Sequence, residues 1–86
     1  YSAGNYDMAI REWNSAFAAD PRPRIQFNLS QAYERTGELE NAVTALQKFL
    51  ESADPDDPMY SDANARLAAL QTRIAALAEQ LETLEN

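Results

Sequence analysis

The 86-residue sequence contains neither cysteine nor histidine, and these two absences restrict its chemistry. Without cysteine, no disulfide can stabilise a small domain and no thiolate can act as a nucleophile. Without histidine, the commonest general base and the commonest metal ligand are missing. The densest group of carboxylates consists of Asp54, Asp56, Asp57 and Asp62. The segment that carries them lacks the central glycine and the terminal glutamate of a calcium-binding loop. We therefore expect no enzyme activity, no cofactor and no metal site, and we interpret this cluster as a solvated acidic turn.

Glycine and basic residues are also scarce. The sequence has two glycines and four prolines against sixteen alanines, which favours an almost entirely helical domain without strands. The sequence has seven Lys and Arg residues and fourteen Asp and Glu residues, so its formal net charge is −7. This charge disfavours nucleic acid and anionic membrane surfaces, so a basic or mixed-charge protein is the better electrostatic match.

No apolar run is long enough to span a membrane, and the N-terminal residues lack the basic and apolar segments of a signal peptide. The chain nevertheless begins in the middle of a repeating pattern. We therefore expect a fragment of a longer protein, in which a targeting segment could lie upstream. The excess of arginine over lysine, together with abundant alanine, indicates a bacterial source. The compartment stays open between cytoplasm and periplasm.

Two stretches share the same arrangement of residues, and their glycines, Gly4 and Gly37, are 33 residues apart. Both stretches end in Asp-Pro, at Asp20-Pro21 and Asp54-Pro55. The matching positions are Gly4, Ala9, Ile10, Trp13, Ala16 and Phe17 in the first copy and Gly37, Ala42, Val43, Leu46, Phe49 and Leu50 in the second. A period of this size is typical of stacked helix pairs, because one pair cannot bury its apolar face alone.

Apolar residues at intervals of three and four predict three helices in this repeated part. Asn5 is a suitable N-cap for the first helix, which Pro21 and Pro23 end. Gly37 suits the left-handed turn after the second helix. The connections are short, so neighbouring helices should run antiparallel. The predicted helices span about 6–19, 23–35 and 39–52.

Residues 53–58 predict an acidic loop, and a longer helix should follow from about Ser61 to Glu82 or beyond, capped by Ser61 or Asp62. This helix would be about 30 Å long, against about 20 Å for each earlier helix. Its apolar residues follow a heptad pattern. The heptad positions are Leu67, Leu70, Ile74, Leu77, Leu81 and Leu84. The first of them can cover the open end of the repeat, whereas the last three need another partner.

The combined spacing resembles the tetratricopeptide repeat, a helix–turn–helix unit of about 34 residues. The resemblance covers roughly residues 1–55, and Ser30 and Phe49 depart from the usual glycine and alanine of that family. The matching residues of the second copy are Leu29, Ala32, Tyr33, Gly37, Leu39, Ala42, Leu46 and Pro55. The resemblance implies an all-α fold of stacked antiparallel helix pairs, a fragment of an α-solenoid. Its parts are a truncated first repeat (1–22), a complete second repeat (23–55) and a heptad-patterned capping helix (59–86).

Family membership implies a concave surface that binds a peptide or helix of another protein. On the second helix the expected groove residues are Arg24, Phe27, Asn28, Gln31, Glu34 and Arg35. Phe27 is the most distinctive, because it lies off the apolar face of its helix and would be an exposed aromatic. The alternative is that Phe27 packs on the terminal helix or on a missing upstream helix. Some members of the family bind the C-terminal carboxylate of a partner with a set of lysines, arginines and asparagines. Only Asn28 of this sequence matches that set.

The leading hypothesis is therefore a non-enzymatic protein-interaction scaffold. The second hypothesis is a homodimer or other homo-oligomer formed through the heptad helix, and the contrary interpretation is that this helix only caps the repeat. Truncation of the first repeat favours association, because Tyr6, Ile10 or Trp13 would be left partly uncovered. By their spacing, Trp13 and the tyrosines are otherwise expected in the core.

Overall fold

The computed structural model describes residues 3–85, and Tyr1, Ser2 and Asn86 lie outside this range. It contains four helices: α1 (Ala3–Ala19), α2 (Pro23–Arg35), α3 (Leu39–Ser52) and α4 (Pro58–Glu85). Each helix packs on the next along the chain, and no strand occurs within the described range. The prediction of an all-α fold of stacked antiparallel helix pairs is confirmed.

The helices α2 and α3 begin and end where the sequence predicts. Pro23 occupies the start of α2, where its missing N–H costs no hydrogen bond, and Arg22 before it is extended (φ −79°, ψ 133°). After α2 the chain reverses at Gly37, whose φ is +80°. The Gly37 N–H donates to the Glu34 carbonyl at 3.2 Å and the Glu38 N–H donates to the Tyr33 carbonyl at 2.9 Å. These bonds satisfy carbonyls at the end of α2 that have no partner inside the helix.

The starts of α1 and α4 differ from the prediction. The helix α1 begins at Ala3, so Asn5 lies inside it, and its assignment as the N-cap is wrong. The helix α4 begins at Pro58, so Ser61 and Asp62 also lie inside the helix. Instead, the Asp57 carboxylate accepts a hydrogen bond from the Met59 N–H at 2.9 Å, which satisfies one of the first amides of α4.

The interior consists of two clusters of buried side chains. The first lies between α1, α2 and α3 and contains Ile10, Leu29, Ala32 and Ala45, with Tyr6 and Trp13 at its edge. The second lies between α2, α3 and α4 and contains Phe27, Ala42, Leu46, Phe49, Ala63 and Leu70. Ala42 and Ala63 have no exposed surface, so at these positions neighbouring helices leave no room for a larger side chain.

Ser30 occupies a fully buried position of α2, where the resemblance leads one to expect glycine. Its hydroxyl donates a hydrogen bond to the Phe27 carbonyl at 2.6 Å. The polar atom is therefore satisfied inside the helix and costs little on burial. Serine is small enough to be accommodated at this fully buried position of α2.

The first half of α4 packs on α3, whereas its second half extends beyond the repeat. The helix has 28 residues and is about 42 Å long, twice the length of α2 or α3. Leu70 is buried and Leu67 and Ile74 are partly buried, but Leu77, Leu81 and Leu84 are 45%, 62% and 82% exposed. Of the six heptad residues, these last three leucines are the least covered by the rest of the described chain. None of the described helices combines the length and apolarity that crossing a membrane requires.

Candidate protein-binding cleft

A cleft of about 490 Å3 opens where α1, α2 and α4 meet. Within each helix, lining residues are spaced three, four or seven positions apart. This spacing places them on the same face of the helix. The lining residues are Tyr6 and Trp13 of α1, Gln31, Ala32, Glu34 and Arg35 of α2, and Arg66 and Arg73 of α4. The walls of the cleft are therefore rigid helical faces, not loops.

The structure brings together three of the six residues predicted for the groove. Gln31, Glu34 and Arg35 line the cleft. Arg24 is exposed and Asn28 is half-buried, and neither belongs to its lining. Arg24 lies at the other end of α2 from Arg35, about 16 Å along the helix axis.

Phe27 is buried, with 4% of its surface exposed, and its assignment as an exposed groove residue is wrong. The first half of α4 covers it, which agrees with the alternative that Phe27 packs on the terminal helix. The ring centroids of Phe27 and Phe49 are 5.5 Å apart at an interplanar angle of 62°, a favourable edge-to-face contact. Phe49, which stands where the family usually has alanine, therefore supplies the surface on which Phe27 packs.

Arg66 forms one wall of the cleft and connects α4 to α2. Its Nη1 donates to Glu34 Oε2 at 3.5 Å, and its Nε donates to Asp62 Oδ2 at 3.2 Å. Its guanidinium carbon also lies 5.5 Å from the centroid of the Phe27 ring, within the range of a cation–π contact. Arg66 is thus occupied by partners within the chain, and these hold the α4 wall against α2.

Arg66 and Arg73 were not predicted from the sequence as lining residues. Tyr6 and Trp13, which the truncated first repeat was expected to leave partly uncovered, do line the cleft. The signal for the two arginines was their spacing of seven residues, which puts them on one face of α4. Which face of α4 lies towards α2 depends on how the helices pack, and the sequence pattern does not contain that information. Trp13 and Tyr6 pack at the edge of the first cluster but remain partly exposed to the cleft.

The charges around the cleft are distributed unevenly. Arg35, Arg66 and Arg73 line it together with a single acidic residue, Glu34. Glu34 is paired with Arg66, whereas Arg35 and Arg73 form no ion pair within residues 3–85. The cleft is therefore locally positive on a chain whose net charge is −7. Over the same residues, no group of three or more acidic side chains is placed to hold a metal ion.

A second, mainly apolar groove of about 470 Å3 lies between the turn before α3 and the overhanging part of α4. Its walls include Leu39 on one side and Ile74, Leu77 and Leu81 on the other. The six predicted seam residues therefore divide into three sets, of which the groove contains Ile74, Leu77 and Leu81. Leu67 and Leu70 belong to the second core cluster, and Leu84 lies beyond this groove near the end of α4.

Antiparallel helix pairs that repeat their packing positions and enclose a lined cleft define the class of α-helical repeat proteins. Within that class, the sequence model of the tetratricopeptide repeat matches residues 1–58, more than half of the chain, and the chain belongs to this family. The match ends where α4 begins. No curated protein and no solved structure matches the chain significantly. Tetratricopeptide repeats generally mediate protein–protein interactions and typically act as non-enzymatic scaffolds.

Proposed function

We propose that the chain is a protein-interaction module that binds a peptide or helix of a partner protein in the cleft between α1, α2 and α4. The observation that carries this proposal is the convergence on one cleft of a partly exposed tryptophan, Trp13, with the guanidinium groups of Arg35 and Arg73. Aromatic residues and arginines supply most of the binding energy in protein interfaces.

The rigidity of the walls supports the same proposal. On the side of α2 opposite the cleft, Leu29 and Ser30 are almost completely buried, and Arg66 ties α4 to α2 through Glu34 and Phe27. A site whose walls are already ordered loses less conformational entropy when a ligand binds. The volume of about 490 Å3 suits a short segment of a partner, such as a few extended residues or one to two turns of helix.

Photo-cross-linking tests this function in the cells from which the chain comes. Benzoylphenylalanine is placed in the protein at Gln31, which lines the cleft, and separately at Lys48, which is exposed on α3. We expect protein adducts, identified by mass spectrometry, at position 31 and not at position 48. Equal labelling at the two positions, or no adduct at position 31, would contradict binding in the cleft.

A second candidate function, homo-oligomerisation through α4, is favoured by the exposed leucines Leu77, Leu81 and Leu84. Beside them lies a strip of exposed alanines that permits close approach of a second helix: Ala68, Ala69, Ala75 and Ala76. Such a seam of heptad leucines pairs readily with its own copy.

Sedimentation equilibrium distinguishes this second candidate from a helix that only caps the repeat. We expect the unaltered chain to dimerise and the Leu81→Glu variant to be monomeric, because a charge would be buried in the seam. Glu79→Gln, on the polar side of α4, is the matched control and should dimerise like the unaltered chain. A chain that stays monomeric at high micromolar concentration would exclude the candidate.

A further inference from the structure

We infer that the partner segment bound in the cleft is acidic, with side-chain carboxylates on Arg35 and Arg73 and an apolar side chain against Trp13. This inference rests on the proposed function, since it names the chemistry of the ligand for the same cleft. It follows from three observations: positive charge is concentrated at the cleft, two of its arginines form no ion pair within the described residues, and these two arginines come from different helices.

Positive charge is concentrated at the cleft. The chain has seven basic side chains, and three of them, Arg35, Arg66 and Arg73, line this one cleft. Among the acidic side chains that the structure describes, Glu34 alone lines the cleft, and its carboxylate accepts a hydrogen bond from Arg66. The net charge of −7 by itself favours a basic or mixed-charge partner, but the charge at the cleft has the opposite sign. An acidic segment would be attracted to the cleft and repelled by most of the remaining surface, which favours docking at this site.

Two of the three arginines are free to bind a ligand. Arg35 and Arg73 are exposed, and neither forms an ion pair within the described residues 3–85. By contrast, Arg22, which lies outside the cleft, forms an ion pair: its Nε lies 2.7 Å from Asp20 Oδ2. Arg66 is engaged by Glu34, Asp62 and Phe27 and serves as a fixed wall.

The two free arginines lie on different helices, Arg35 on α2 and Arg73 on α4. A segment bound in the cleft can therefore contact one guanidinium from each of the two helices. Guanidinium groups bind carboxylates through two parallel hydrogen bonds, so each arginine can select one Asp or Glu side chain. A segment that engages both arginines in this way carries two acidic side chains, which differs from capture of one C-terminal carboxylate.

Trp13 is the only tryptophan of the chain, and its fluorescence therefore reports directly on occupation of the cleft. The probes are peptides selected from a displayed random library on the unaltered chain and then synthesised without tryptophan, each with a free and with an amidated C-terminus. We expect the selected peptides to be rich in Asp and Glu and to change the Trp13 emission on binding. Replacing their Asp and Glu by Asn and Gln should abolish the change.

Three variants identify the contacts. Arg35→Gln and Arg73→Gln should each weaken binding about tenfold, the loss expected for one charge-assisted hydrogen-bonded pair. Arg24→Gln removes an equally exposed arginine of α2 from outside the cleft and should bind like the unaltered chain. Raising the salt concentration should weaken binding to the unaltered chain more than to the two cleft variants. Circular dichroism confirms that each variant is folded.

The outcomes separate this inference from the proposed function. Selected peptides that are neutral or basic, yet change the Trp13 emission, would overturn the acidic ligand and leave binding in the cleft intact. Acidic peptides whose binding depends only on a free C-terminal carboxylate would also overturn it. If no selected peptide changes the Trp13 emission, cleft binding itself fails.

Discussion

The guanidinium carbon of Arg66 lies 5.5 Å from the centroid of the Phe27 ring, and this contact joins the wall of the cleft to the hydrophobic core. Phe27 belongs to α2 and packs with its other side on Phe49 of α3. Arg66 belongs to α4 and also contacts Glu34 of α2. A residue of the cleft therefore contributes to stability as well as to the shape of the candidate site.

Arg66→Gln should destabilise the chain by about 1 kcal/mol, because it removes a cation–π contact and two partly exposed ion pairs, each of which is individually weak. Urea unfolding followed by circular dichroism measures the change. Arg11→Gln is the matched control, since Arg11 is exposed on α1 and forms no ion pair within residues 3–85. Equal unfolding midpoints for the two variants would show that the contact adds nothing to stability.

Phe49→Ala introduces the residue that the family usually has at this position, and we expect it to unfold the chain. Phe49 is completely buried against Phe27, and loss of a buried phenylalanine costs about 3–5 kcal/mol. That cost is comparable to the whole stability of a domain of this size.

Circular dichroism at 25 °C would record loss of helical signal for Phe49→Ala. Met8→Ala, an exposed position of α1, should retain it. A cooperative transition of Phe49→Ala at the melting temperature of the unaltered chain would contradict the assigned packing.

Ala42→Leu should lower stability by about 1–3 kcal/mol, because the extra atoms must force α3 away from its neighbours. Ala42 has no exposed surface, and it lies in the cluster shared by α2, α3 and α4. Ala68→Leu makes the same change at an exposed position of α4 and should have little effect on the thermal unfolding of the monomer. A similar loss for both variants would mean that crowding at residue 42 is not the cause.

Gly37→Ala should cost about 1 kcal/mol, because a Cβ disfavours the left-handed conformation that this turn requires. The φ of Gly37 is +80°, and a Cβ placed there would meet no atom within 4 Å, so the cost comes from the backbone alone. Gly37→Asn is the informative comparison, since asparagine tolerates this conformation better and should lose less. Identical thermal stability of Gly37→Ala and the unaltered chain would contradict the assigned turn.

The bounds of α2 and α3 follow from local chemistry, which is why they could be predicted. Pro23 can only begin a helix, and Gly37 provides the turn that ends one. The sequence also contains a signal for the start of α4. Asp57 is a typical N-cap residue, and Pro58 after it is typical of a first helical position. This signal predicts the start of α4 better than Ser61 or Asp62 does.

Half of the predicted groove residues, Gln31, Glu34 and Arg35, were identified because α2 is a regular helix with one known buried face. Phe27 was placed wrongly because the pattern of α2 does not show which of its other faces a fourth helix covers. Arg66 and Arg73 were missed for the same reason. Their contribution depends on the rotation of α4 about its own axis, and that rotation follows from packing against Ala42, Phe49 and Leu46.

The sequence by itself determines four features of this protein. These are its helical composition, the repeat of 33 residues, the antiparallel helix pairs and the excess of leucines at the end of the chain. The helices depend on hydrogen bonds and side chains within a few turns, the antiparallel pairs follow from the short connections between helices, and the repeat is read directly from the sequence. The meeting of Trp13, Arg35 and Arg73 at one cleft, and the burial of Phe27 beneath Arg66, depend on how far and at what angle α4 lies on α3. Only the packed molecule sets that geometry, because it is the sum of many weak contacts between residues distant in the chain.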